Sequence, residues 1–221
     1  MLDIPALIEQ GAAEMGLSLP ADAPGRLARF LALLGKWNRG QNLTAITEPE
    51  AMVYGHVLDS LAGLPWLDGA RVLDVGSGAG LPGVPLAIAD PKRGFVLLDS
   101  RRKRIQFLLY AKRELALDNV SVVESRIEKY RPEGNFGTLT ARAVAALPEL
   151  AGAVMPFINT GARLVVWQRN DPSRELEGAL AGLHLCCAVH PVRVAGIRAP
   201  RHIVVIGREE APSAGGEDQS K

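Results

Sequence analysis

The chain is predicted to form an α/β fold, a doubly wound, mostly parallel sheet of seven strands preceded by a helical extension. Three observations lead there. From Arg71 onward, seven short β-rich runs recur, the early ones separated by helical stretches. Those early runs are almost continuously apolar, as strands covered on both faces must be. The first of them leads into a glycine-rich turn and then into a stretch opened by Pro82 and Pro85, which suits the start of a helix.

The elements follow in order. Residues 1–68 read as a helical extension packed on the core, because Leu27, Phe30, Leu31, Leu34 and Trp37 recur at intervals of three and four and make one apolar stripe. Arg26, Arg29, Lys36 and Arg39 fall mostly on the other side, where a solvated face explains them as well as a binding role does. Thr47 and Glu50 form a capping-box pattern with Pro49 in the first turn, so a helix is expected from about Glu48 to Leu64. The sheet domain is placed at residues 69–208. Its strands are RVLDV from Arg71, FVLLD from Phe95, VSVVE from Val120, TLTAR from Thr138, ARLVVW from Ala162, a run around Leu185 to Val194, and HIVVIG from His202. The last two have no clear helix between them, so an antiparallel hairpin is expected at the sheet edge. Residues 209–221 are small, polar and free of aromatics, and a disordered tail is expected there.

Composition narrows the function classes. A chain of 221 residues can bury roughly 70% of its unfolded surface, enough for a sizeable core. No apolar run approaches the ~20 residues of a membrane span, and no secretory signal pattern is seen, so a soluble cytoplasmic protein with no membrane partner is expected. Cys186 and Cys187 stand side by side in an apolar run where neither a zinc quartet nor a long-range disulfide can be built. Both read as core residues, and no metal is expected. The net charge is only +1, but the tail holds four acids and one base, leaving 24 bases against 20 acids in residues 1–208. A body this weakly basic can bind RNA only through a concentrated patch.

The segment from Val72 to Gly83 carries the first chemistry. Gly76, Gly78 and Gly80 allow a tight turn and the approach of a ligand to bare backbone amides. Gly78, Gly80 and Gly83 also satisfy G-x-G-x-x-G, the dinucleotide pattern, which is weak alone. Against it stand Asp74 two residues before the first glycine, a pattern that begins three residues after the strand, and Pro82 in a variable slot. An acid is awkward beside a pyrophosphate but favourable beside a methionine ammonium or a sulfonium. The loop therefore points to S-adenosylmethionine, and the fold to the class I, Rossmann-like methyltransferase type, by analogy of strand order. Asp99, closing the second strand, can accept from ribose hydroxyls; alternatively Asp99 or Ser100 caps the next helix. After the third strand Ile127 can flank an adenine ring.

Next come Arg101, Arg102, Lys103 and Arg104, four cations in the first turns of a helix, an end that prefers anions. Either they form a solvated face balanced by Asp99, or Arg101, Lys103 and Arg104 hold RNA phosphates near the donor, with Lys112 and Arg113 extending the patch. His56 and Asp59, three apart, read as a satisfied helix pair that could border the site. Arg142, ending the fourth strand, is the one candidate catalytic residue; it suits contact with donor or acceptor, or a structural ion pair.

Several segments together resemble the bacterial small-subunit ribosomal RNA guanine-N7 methyltransferase G family, formerly glucose-inhibited division protein B. They are Lys36-Trp37-Asn38 with Asn42-Leu43-Thr44, His56 to Ser60, Asp74 to Leu86, Leu97 to Ser100 with Lys103-Arg104, Arg142-Ala143, and Arg201 to Ile206, spanning about residues 30–207. The resemblance implies S-adenosylmethionine as donor, a guanine of 16S ribosomal RNA or the small subunit as acceptor, and N7 as the methylated atom. It maps donor contacts onto Gly76, Leu81, Ile127, Glu128 and Arg142, beside Asp74, Gly78 and Asp99 from the loop argument. One departure stands out: the family commonly has lysine-glycine after the fifth strand, where this chain has Trp167-Gln168-Arg169-Asn170. If that lysine helps hold RNA, its role here is lost or moved to Arg169.

Guanine N7 carries a lone pair and no proton, so it can attack a sulfonium methyl in line without a general base. The missing motifs agree: no N-P-P-Y or D-P-P-Y follows the fourth strand, and no Pro-Cys nucleophile is present. The alternatives are a methyltransferase for a small molecule or protein, and a ribosome-associated module that binds the donor without turnover.

Overall fold

The computed structural model describes residues 2–142, 146–173, 176, 180 and 182–208. The tail expected at 209–221 lies outside these. Seven strands form one sheet: β1 (Arg71–Val75), β2 (Gly94–Asp99), β3 (Val120–Glu124), β4 (Thr138–Arg142), β5 (Arg163–Gln168), β6 (Leu185–Val192) and β7 (Arg201–Arg208). Their order is β3-β2-β1-β4-β5-β7-β6. The first five pair in parallel; β7 runs antiparallel to β5 and β6 antiparallel to β7. Strand order reverses between β1 and β4, so the carboxyl ends of those strands open a crevice there.

Each continuous apolar run feeds two cores. In β1, Val72 joins the cluster on one face while Leu73 and Val75 join the other; in β2, Phe95 and Leu97 alternate with Val96 and Leu98 in the same way. Helices α1 (Ile4–Glu14), α2 (Ala23–Gln41), α5 (Gly83–Ala89) and α6 (Arg102–Glu114) contribute to the first cluster and α7 (Leu147–Ile158) to the second. The α2 stripe is buried as its spacing implies, with Trp37 packed on Phe107 and Tyr110 of α6 at 5.6 and 5.3 Å between ring centroids.

Several local expectations need correction. Arg26 and Arg29 are not simply a solvated face. Arg26 donates to the Leu115 and Ala116 carbonyls at 2.9 and 3.1 Å, and Arg29 pairs with Glu114 at 3.7 Å, so they clamp α2 onto the carboxyl end of α6, where cations are favoured. Lys112 and Arg113 occupy that same end, remote from the cluster opening the helix. The Thr47–Glu50 capping box does not form; Glu48 holds the N-cap position with no side-chain cap. The rod that follows is shorter than expected and not uniformly α: α3 (Pro49–Met52), a π-helical segment (Val53–Leu58) and α4 (Asp59–Leu61). Cys186 and Cys187 are exposed rather than core residues, because β6 is the outermost strand of the sheet. Among the described residues no helix is long and apolar enough to cross a membrane.

Candidate functional site

Two adjoining recesses lie over the carboxyl ends of the parallel strands. The first is built around the glycine turn. Gly76, Gly78 and Gly80 all have positive φ (68°, 57° and 80°), which frees the turn of side chains; the Gly78 and Gly80 amides, expected to meet a ligand, are instead engaged within the fold, by Asp99 Oδ2 and the Ser77 carbonyl. The cleft is lined by Gly76, Asp99, Ser100, Arg101, Arg104, Ser125, Ile127 and Glu128, together with Val75, Leu98 and Arg126. Gly76, Asp99, Ile127 and Glu128, expected at the donor from three separate strand ends, are thus brought together.

Asp74 and Leu81 are not. The Asp74 carboxylate is fully buried below the turn, where Oδ1 accepts from the Thr140 hydroxyl at 2.8 Å and Oδ2 from the Gly83 amide at 3.2 Å. Direct contact with an ammonium or sulfonium is replaced by a clamp that ties the turn and the start of α5 to β4. A Cβ on Gly83 would collide with Leu97 and this carboxylate, so the third glycine of the apparent dinucleotide pattern serves packing. Burial pushes Asp74 up to about 6, opposed by its hydrogen bonds and by Arg142. Leu81 is likewise buried.

Asp99 does not cap α6; Arg101 takes that position. Instead Asp99 Oδ1 accepts from the Arg101 amide at 2.8 Å, and Oδ2 accepts from the Gly78 amide at 2.9 Å and from Arg104 Nη1 at 3.2 Å. The basic cluster is therefore divided. Arg101 and Arg104 help wall the first cleft, and Lys103 is exposed.

The second recess is a cavity of about 630 Å³ beyond β4 and β5, and Arg142 lines this one rather than the first. Its guanidinium donates to Asp59 Oδ2 at 3.0 Å and to the Gly55 carbonyl at 3.3 Å. Arg201 donates to Asp59 Oδ1 at 2.9 Å, and Trp167 Nε1 to the Asp59 carbonyl at 2.7 Å. One carboxylate thus holds two guanidiniums at the cavity wall. His56 and Asp59 do not satisfy each other. His56 Nε2 lies 2.8 Å from the Thr44 hydroxyl and Nδ1 3.1 Å from the Gly55 carbonyl. Since a carbonyl only accepts, Nδ1 bears the proton and the Thr44 hydroxyl donates to Nε2. Burial, and then the nearby Arg142 charge, lower His56 to about 4, so it is neutral at pH 7. Thr44 in turn accepts from the Ile46 amide, while Asn38 brackets Thr44 through both backbone groups at 2.8 and 2.9 Å.

Thr44, Trp167 and Arg201 were not singled out as site residues from the sequence, and Asp59 only as a helix partner of His56 that could border the site. Their signal was present in the Asn42-Leu43-Thr44, His56–Ser60 and Arg201–Ile206 segments, which are far apart in sequence and meet only here. Gln168 and Arg169 extend the same wall, with Arg169 exposed.

This sheet order, with a bare glycine turn after β1 and an acid closing β2, defines the class I methyltransferase architecture. Magnesium protoporphyrin IX methyltransferase from Synechocystis PCC 6803, solved with S-adenosylmethionine bound, superimposes with a TM-score of 0.55 at 17% identity, covering 95% of this chain and 99% of that one. In sequence the likeness is narrower: residues 25–204 match the family described as rRNA small subunit methyltransferase G. The chain is 44% identical over 197 residues to the ribosomal RNA small subunit methyltransferase G of Methylococcus capsulatus, covering 89% of this chain and 95% of that protein. It is 39% identical over 199 residues to that of Coxiella burnetii, covering 90% and 96%. The chain belongs to the rRNA small subunit methyltransferase G family, whose methyl donor is S-adenosylmethionine.

Proposed function

We propose that the protein methylates N7 of a guanine in 16S ribosomal RNA, with the donor in the first cleft and the guanine in the cavity beside it. Bound in the cleft, S-adenosylmethionine supplies an electrophilic methyl group. The cleft residues would hold it: Asp99 would accept from the ribose, Ile127 would flank the adenine, and the Gly76–Gly80 turn, free of side chains, would leave room beside them. Arg142, at the end of β4, would then stand between the methionine end and the second cavity.

The observation that carries the reading is the state of the acids and bases lining that cavity. His56 is neutral, and its Nε2 is engaged by Thr44. Asp59 is held between Arg142 and Arg201. Asp171 accepts from the Ser173 amide and hydroxyl, and these bonds hold its carboxyl below the usual range. Among the described residues, no lining group stands ready to take a proton. That favours an acceptor with no proton to lose, as N7 is, and leaves alignment of the reactants as the enzyme's main task, an effect that can reach ~7 to 11 kcal/mol. Three guanidiniums (Arg142, Arg169 and Arg201) face two carboxylates at the wall, a net positive charge suited to the phosphodiester of an RNA nucleotide. A cytoplasmic setting, and the small subunit or its free RNA as partner, belong to the same reading.

Small subunits lacking their native modification, incubated with methyl-labelled donor, test it. Because N7-methylguanine is cationic and its glycosidic bond labile, borohydride followed by aniline should cut the labelled strand at one site. Label without scission would mean that another atom is methylated, and no label in RNA would favour a small-molecule or protein acceptor.

A further inference from the structure

Asp99 stands where the donor cleft meets the basic cluster, and its hydrogen bonds leave little room for a ribose. A carboxylate has about four lone-pair directions. Three are used, by the Arg101 amide, the Gly78 amide and Arg104 Nη1. A ribose donating through both hydroxyls needs two. The amides are fixed by the glycine turn and the start of α6, whereas Arg104 donates from the end of a long side chain that is 36% exposed, which rotation about its own bonds can withdraw. Its Nη1 also lies only 3.7 Å from where a Cβ on Gly78 would stand, covering the bare turn that a ligand must approach.

We propose that Arg104 is a positioning residue that couples the two substrates. It occupies the ribose-accepting face of Asp99 until the donor displaces it, and the released guanidinium then joins Arg101 and Lys103 in holding an RNA phosphate. The inference rests on the reading of the first cleft as the donor site. Its sign follows from charge: Arg104 partnered by Asp99 is a poor phosphate ligand, and displaced it is a good one. Linkage makes the effect mutual, so RNA tightens donor binding by the same factor. The weak worth of a partly exposed ion pair limits that factor to about 2- to 5-fold.

The test titrates S-adenosylhomocysteine and small-subunit RNA, separately and together, into the parent, Arg104→Met and Arg104→Lys proteins. In the parent, S-adenosylhomocysteine should tighten RNA binding by about 2- to 5-fold. Arg104→Met should bind S-adenosylhomocysteine alone more tightly by a similar factor and show no coupling; Arg104→Lys should restore coupling, which a merely structural role would not do. Weaker S-adenosylhomocysteine binding by Arg104→Met, or coupling that survives in it, would overturn this inference and leave the donor site standing. Failure of all three proteins to bind S-adenosylhomocysteine would overturn the donor reading and this inference with it.

Discussion

The cleft proposed for the donor is assembled from the ends of three consecutive parallel strands, each delivering its residue at the position the fold prescribes. The cavity beside it gathers Thr44, Asp59, Arg142, Trp167 and Arg201 from segments far apart in the chain; Asp59 and Arg201, which pair directly, are 142 residues apart. The cleft presents a side-chain-free turn and the Asp99 and Glu128 carboxylates; the cavity wall is held by a part-buried ion cluster. The first arrangement is common to the architecture and can be reached by a short motif. The second depends on packing of the helical extension against the far end of the sheet, where the fold is least local.

The comparison predicts that the cavity is structurally more fragile than the cleft. Asp59→Ala leaves the part-buried Arg142 and Arg201 without their counter-charge and should destabilise the fold by up to about 3 kcal/mol, less than a fully buried pair would lose, read from urea denaturation. A loss below about 1 kcal/mol would show that the cluster does not organise the wall. On the cleft side, Asp99→Ala should weaken S-adenosylhomocysteine by about 10- to 150-fold in calorimetry, the worth of a hydrogen bond to a charged group. RNA affinity without donor should hold or rise, since Arg104 is freed.

Titration separates the regions further. His56, lowered to about 4, must stay neutral when folded, so its stabilising contribution is complete above pH 6.5 and is lost as pH falls towards 4. Asp74, raised to about 6, acts in the opposite sense: its contribution is complete below pH 3.8 and is lost as pH rises through 6. The two partly cancel. His56→Gln should therefore remove an acid loss on the order of 2 kcal/mol between pH 7 and 4.5, seen by denaturation at both values, and an unchanged pH slope would refute it. The smallest effect is expected at exposed Arg169: its replacement by Ala should lower RNA affinity a few-fold, flatten the logarithmic salt slope by about 0.7, and leave S-adenosylhomocysteine binding alone.

The cleft was legible in sequence because its residues follow the strand period and the turn's glycine requirement. Gly76, Asp99, Ile127 and Glu128 fall at ends of strands whose limits the apolar runs reveal. Asp74 was located correctly in the loop but misassigned, since no local pattern tells whether a carboxylate faces a ligand or a buried amide such as that of Gly83. Arg142 was placed at its strand end, while its partner Asp59 was hidden: the interval from His56 to Asp59 reads as one helix face, and the π-helical segment that precedes Asp59 leaves no plain mark in the residues. Arg26 and Arg29 show the same limit. A charged helix face looks identical whether it meets water or the carboxyl end of another helix.

The most direct test of the two-recess account is a crystal structure of the protein with S-adenosylhomocysteine. The account predicts ribose hydroxyls on Asp99, adenine against Ile127 and the sulfur directed towards Arg142, with the cavity between Asp59, Arg142 and Arg201 left open for a base. Density for S-adenosylhomocysteine inside that cavity, with Asp99 untouched, would contradict it.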